Sequence, residues 1–243
     1  MCIIVLKPKH RKMPNLEIME NCFNANPDGS GFMYRDDGKI HIVKGFMSLA
    51  DLLDAINLVN DTIDLRATDV CLHFRITTHG SSTPANCHPF PLSNDIQDLK
   101  ALSIITDRAI AHNGILHDYG KMTNASSDMS DTMYFAKMLS GVNDRFISNV
   151  ISAHSHGSKF VLMTGKKTLS FGMKKYKGLW YSNDSYKPYI APKVAYISTM
   201  WDTWNKYDQS TLSSIVSDTK LSDMDRDGFM DYLKNKNYPY RDY

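Results

Sequence analysis

The sequence predicts an α+β fold, with strands concentrated in the first part of the chain and amphipathic helices packed against them, on three observations. "GFMYRDDGKIHIVKG" (31–45) holds two alternating apolar runs around Asp36-Asp37-Gly38, the pattern of a hairpin. "SLADLLDAINLVN" sets Leu49, Leu52, Leu53, Ile56 and Val59 at helical spacing behind Ser48 as N-cap. "SDTMYFAKMLSG" opens a second helix at Ser130 or Asp131 and closes it at Gly141.

The other elements follow in order. "CIIVL" (2–6) reads as a buried strand, as do "DVCLHFRI" (69–76), "LSIITD" and "AIAHNG" after residue 101. A helix is expected over 144–153, then the hairpin "KFVLMTGKKTLSFG". Composition changes near residue 190, which divides the chain into a domain over 1–190 and a polar, aromatic extension over 191–243. Within the extension, Asp223, Asp225, Asp227 and Gly228 imitate the start of a calcium loop. Position twelve is Lys234 instead of a bidentate Glu, so an Asp-capped helix start is the better reading.

Bulk composition excludes several classes. The 243 residues are 42% hydrophobic and 22% charged, which suits an ordinary globular chain and argues against disorder. A formal charge of +2 is too balanced for a nucleic-acid or membrane surface. No apolar run approaches the roughly 20 residues that cross a bilayer. Cys2, Cys22, Cys71 and Cys87 form no C-x-x-C pair, and with no secretory pattern ahead of them free thiols in a cytoplasmic setting are expected.

Chemistry gathers in "NPDGSG" (26–31), "HFRITTHG" (73–80), "NCHP" (86–89), "HNG" (112–114) and "SDT" (130–132). Taken singly these are turns, a salt-bridging arginine and packed histidines. His73, His79, His88 and His112 with Cys87 carry metal-ligand atoms, but no metal spacing such as H-E-x-x-H joins them, so no metal or other cofactor is expected. No G-x-S-x-G elbow marks a serine hydrolase. Cys2 alone is an ordinary strand cysteine. If Met1 is removed, however, it carries both a thiol and an α-amine of pKa roughly 8, a nucleophile and a base on one residue. Together with Cys2 these stretches supply acyl transfer from an amino-acid amide. Asn113 and the Gly114 N–H are oxyanion donors, Arg75 suits a carboxylate, and Asp131 an ammonium.

In that order and at similar intervals, Cys2, "NPDGSG", "HFRITTHG", "NCHPF", "HNG" and "SDT" resemble the class II glutamine amidotransferase domain of the N-terminal-nucleophile (Ntn) hydrolases, over roughly residues 2 to 180. The resemblance implies an αββα four-layer sandwich of two antiparallel sheets between helices, and hydrolysis of glutamine to glutamate and ammonia through a γ-glutamyl thioester. It implies Cys2 as nucleophile and base, Asn113 and Gly114 as oxyanion hole, Arg75 on the α-carboxylate, Asp131 on the α-ammonium, and Thr78 and His79 lining the glutamine pocket. Asn86, His88 and His112 are then loop supports. The chain departs from the family pattern at Ile3, where Gly is usual, at Ile76, where a large aromatic often stands, and at Asn26, in place of Arg-Gly.

The expected activity is a free-standing glutaminase that delivers ammonia to a separate synthetase or transferase. Trp201, Trp204, Tyr207 and Phe229 of the extension are residue types favoured at interfaces. Two rivals stand beside it: an Ntn amidohydrolase acting on another γ-glutamyl or acyl amide, and a non-catalytic binding protein.

Overall fold

The computed structural model describes residues 2–77, 82–120, 129–154 and 157–188. The chain divides into Met1–Pro188 and Tyr189–Tyr243. Thr78, His79 and the extension, with its calcium-like loop and its aromatic residues, lie outside the described residues.

Strand β1 (Ile3–Lys7) is followed by α1 (Leu16–Ala25), the hairpin β2 (Ser30–Asp36) and β3 (Lys39–Phe46), α2 (Leu49–Asn60) and β4 (Val70–Phe74). Then come β5 (Phe90–Pro91), α3 (Ile96–Lys100), β6 (Ser103–Thr106), β7 (Arg108–Asn113), α4 (His117–Gly120), α5 (Asp131–Ser140) and α6 (Ile147–Ala153). Strands β8 (Lys159–Thr164), β9 (Thr168–Phe171), β10 (Lys174–Tyr176) and β11 (Leu179–Tyr181) complete the described chain. They form a seven-stranded sheet in the order β10-β11-β1-β4-β2-β3-β6 and a four-stranded sheet in the order β5-β7-β8-β9, with every pairing antiparallel.

Local chemistry accounts for the predicted elements. Asp36 pairs with Lys39 across a two-residue turn in which Asp37 and Gly38 take φ of 42° and 71°, the left-handed pair that matches hairpin twist. Ser48 Oγ accepts from Asp51 N at 3.1 Å and Ser130 Oγ from Met133 N at 3.2 Å, capping α2 and α5. Gly141 closes α5 at φ −82°, so its left-handed freedom is not used. The expected helix at 144 starts later, at Ile147, because Asn143 first makes a turn by accepting from Arg145 N at 2.9 Å. Six elements have no counterpart among the expected ones: α1, behind Asn15 as N-cap, the short helices α3 and α4, and the short strands β5, β10 and β11.

Packing explains why "IIVL" is apolar without interruption. Successive strand residues point to opposite faces. Ile3 and Val5 pack with Met19 and Cys22 of α1 and Leu52 and Ile56 of α2. Ile4 and Leu6, with Met33, Ile40, Ile42 and Cys71, pack against Ala109 and Ala111 of β7 and Val161 and Met163 of β8, the core between the two sheets. The other face of the four-stranded sheet, with Ile110, Phe160 and Leu162, is covered by Met133, Phe135 and Leu139 of α5 and Ile147 and Ile151 of α6. The result is an α+β sandwich of two antiparallel sheets and six helices among the described residues. None of these helices is long and apolar enough to cross a membrane.

Candidate active site

Strand alternation places the candidate residues before any distance is considered. Cys2 continues the face of Ile4, His73 and Arg75 that of Cys71, and Asn113 that of Ala111, so all four belong to the inter-sheet side. The register sets their level: Ile3 pairs with Phe74 and Ile4 with His73, which puts Cys2 at the level of Arg75.

Cys2 is half-buried, and its sulfur meets the backbone of Ile76. Ile76 N donates to Sγ at 3.4 Å, and the thiol donates to the Ile76 carbonyl at 3.5 Å. The Ile76 contact is made by the main chain, so this residue type does not disturb it. Burial raises the thiol pKa above its ordinary value, opposed by the Ile76 N–H and the Arg75 charge. Ile3 is fully buried in the core beneath α1 and α2.

Arg75 is buried and its backbone is stitched to the "NPDGSG" loop. Arg75 N donates to the Gly29 carbonyl at 2.8 Å, its carbonyl accepts from Asp28 N at 2.9 Å, and Thr77 N donates to Asp28 Oδ2 at 2.6 Å. Gly29, at φ 112°, leaves room for the Cys87 sulfur. Asn26 closes α1, its Nδ2 donating to the Cys22 carbonyl at 2.9 Å.

Asn113, at the end of β7, is buried. Its Nδ2 donates to Ser182 Oγ at 2.9 Å, and its Oδ1 has no hydrogen-bond partner among the described residues. Gly114 follows at φ 149°, where a Cβ would run into Ser158 Oγ and lie 2.9 Å from Ser158 Cα. Asp131, first residue of α5, braces this turn: Oδ2 accepts from Leu116 N at 2.9 Å, and Oδ1 from Thr132 N at 2.6 Å and Thr132 Oγ1 at 3.1 Å. A carboxylate offers about four acceptor positions, and the described residues fill three of them.

Three buried histidines support these residues. His73 Nε2 lies 3.0 Å from the His112 carbonyl, which can only accept, so Nε2 carries the proton. His112 N donates to His88 Nδ1 at 3.3 Å. Thr132 gives its hydroxyl proton to Asp131, so at 2.9 Å it accepts from His112 Nδ1. Each ring is neutral in this network. Burial lowers the pKa of His73 to about 3, that of His112 to about 4 against the pull of Asp131, and that of His88 well below its usual value. Among the described residues no group of three or more His, Cys, Asp or Glu could hold a metal ion.

Cys2, Arg75, Asn113, Gly114 and Asp131 therefore belong to one connected end of the two sheets, while Thr78 and His79 lie outside the described residues. Two neighbours escaped the sequence reading. Ser182 Oγ accepts from Ile4 N at 2.8 Å as well as from Asn113, and Asn183 Nδ2 donates to the Cys2 carbonyl at 2.7 Å. "YSND" has no local signature; only the pairing of β11 with β1 brings these residues to the site. No protein-family model matches the chain, and no curated protein matches it.

Proposed function

We propose that the chain is a glutamine amidotransferase-type amidohydrolase of the Ntn class, an αββα sandwich that uses Cys2 to convert glutamine to glutamate and ammonia for a separate acceptor enzyme. The observation that carries this reading is the shared placement of Cys2, Arg75 and Asn113 on the inter-sheet side at one end of the strands, with Gly114 and Asp131 in the adjoining turn.

With Met1 removed, the α-amine of Cys2 takes the thiol proton, and the sulfur attacks the side-chain amide carbon of glutamine. Because burial disfavours a standing thiolate, proton transfer and attack belong together. The oxyanion is received by the second N–H of Asn113 Nδ2 and the Gly114 N–H. Collapse breaks the C–N bond, and the amine returns its proton to the leaving ammonia. Water then attacks the γ-glutamyl thioester, giving glutamate and the free thiol. Arg75 holds the substrate α-carboxylate and Asp131 its α-ammonium.

The test is ammonia and glutamate release from glutamine by protein whose Cys2 terminus is verified by intact mass, beside Cys2→Ala. Release that disappears in the variant is expected. Capture of Cys2 by diazo-oxo-norleucine covers an enzyme idle without its acceptor; neither turnover nor capture would remove the proposal.

A further inference from the structure

Ser182 and Asn183 are adjacent residues immediately after β11, yet their side chains serve the two ends of the proposed chemistry. Ser182 is buried, and its backbone N donates to the Ile4 carbonyl at 3.0 Å while its Oγ accepts from Ile4 N at 2.8 Å. Ser182 is thus locked to β1, its hydroxyl by the Ile4 N–H and its main chain by the Ile4 carbonyl. To this fixed oxygen Asn113 Nδ2 donates at 2.9 Å. Asn183 is held in turn, its Oδ1 accepting from Ser185 N at 3.0 Å while its Nδ2 donates to the Cys2 carbonyl at 2.7 Å.

We propose that Ser182 and Asn183 are positioning residues: Ser182 sets the plane of the Asn113 amide so that its second N–H faces the reacting carbonyl, and Asn183 fixes the backbone that carries the nucleophile. The inference rests on the reading of Cys2 as an amide-cleaving nucleophile. Physically, an asparagine amide turns over a wide arc about its terminal torsion unless one hydrogen is tethered. An oxyanion donor is useful only when it is in place before charge develops. Ser182 is anchored to the same strand that presents Cys2, so donor and nucleophile share one frame.

Ser182→Ala is expected to lower kcat for glutamine by about 10- to 100-fold with KM little changed, since the lost contact matters where the oxyanion forms. Alkylation of Cys2 by iodoacetamide, which forms no oxyanion, should stay within about twofold of wild type. Ser182→Thr keeps the hydroxyl and should restore turnover. Asn183→Asp, which keeps the acceptor for Ser185 N but loses the donor to Cys2, should slow turnover and alkylation together. If Ser182→Ala does not fold, Ser182→Cys, close in volume and a weak acceptor, takes its place.

A Ser182→Ala protein with wild-type kcat overturns the proposal. So does parallel loss of thermal stability, alkylation and turnover that threonine fails to restore, which is a structural role. If verified wild-type protein neither turns over glutamine nor is captured, the proposed function fails separately. NMR of the Asn113 side-chain amide then decides: resonances moved by Ser182→Ala support the tether, and unmoved resonances overturn it.

Discussion

The ring of His73 donates through Nε2 to the main-chain carbonyl of His112 at 3.0 Å, one hydrogen bond that ties β4 of the larger sheet to β7 of the smaller. The bond holds the peptide from which Asn113 projects, and its donor is a buried, neutral ring. Burial depresses the folded-state pKa to about 3 for His73 and about 4 for His112, below the ordinary 6.5, so the unfolded chain takes up protons that the native one refuses. The stability these histidines contribute is whole above pH 6.5 and is lost as the pH falls through the interval down to about 4 and about 3. Urea unfolding at stepped pH should show stability declining by up to about 1.4 kcal/mol per pH unit for each histidine. His73→Gln should flatten the decline, and an unchanged slope would remove His73 from the account.

Gly114 cannot accept a side chain. At φ 149° its missing Cβ faces Ser158, whose Oγ would be overlapped and whose Cα and Cβ would each lie 2.9 Å away. Gly114→Ala should cost about 1–3 kcal/mol in chemical denaturation through strain and overlap, and should abolish turnover by moving the Gly114 N–H. Ser158→Ala removes only the hydroxyl and leaves Cα and Cβ in place, so the double variant should stay close to the single one. Full recovery would contradict this geometry.

How far these features were legible depends on the range of the interactions behind them. The Asp37-Gly38 turn and the Ser48 and Ser130 caps are local, and the spacing of polar and apolar residues around them announces them. Cys2, Arg75, Asn113 and Asp131 stand out because the chemistry of an amino-acid amide needs those residue types. Strands β10 and β11 are only three residues each and exist by pairing with one another and with β1, which no local pattern records. Ser182 and Asn183 inherit that silence. The same holds for His73, whose proton position is decided by a carbonyl on the other sheet.

Asp131 does structural work before any ligand arrives, receiving Leu116 N–H on one oxygen and the Thr132 N–H and hydroxyl on the other. Asp131→Asn keeps the shape but must turn an NH2 group toward one of these donors. Leaving such a part-buried pair unmatched costs about 1 kcal/mol, the low end of the range for a buried one, so the unfolding midpoint should drop. If the remaining lone pair receives the substrate ammonium, KM for glutamine should also rise by about 10-fold or more, the effect of losing a charged partner. A fall in stability with KM unchanged would leave Asp131 as a brace for the 114–116 turn and take it out of substrate binding.

Arg75 has two separable effects, one through its charge and one through its shape. The charge lowers the pKa of the Cys2 thiol, against burial, which raises it. Arg75→Lys keeps a cation but loses the planar fork that grips a carboxylate in two places. It should therefore raise KM for glutamine while leaving the pH profile of Cys2 alkylation close to wild type. Arg75→Gln removes the cation as well, so its alkylation profile should move to higher pH and its rate at pH 8 should fall, because less of the reactive thiolate is present. Iodoacetamide kinetics across pH, beside steady-state kinetics, separate the two. Identical alkylation profiles for all three proteins would mean that the charge of Arg75 does not reach the sulfur.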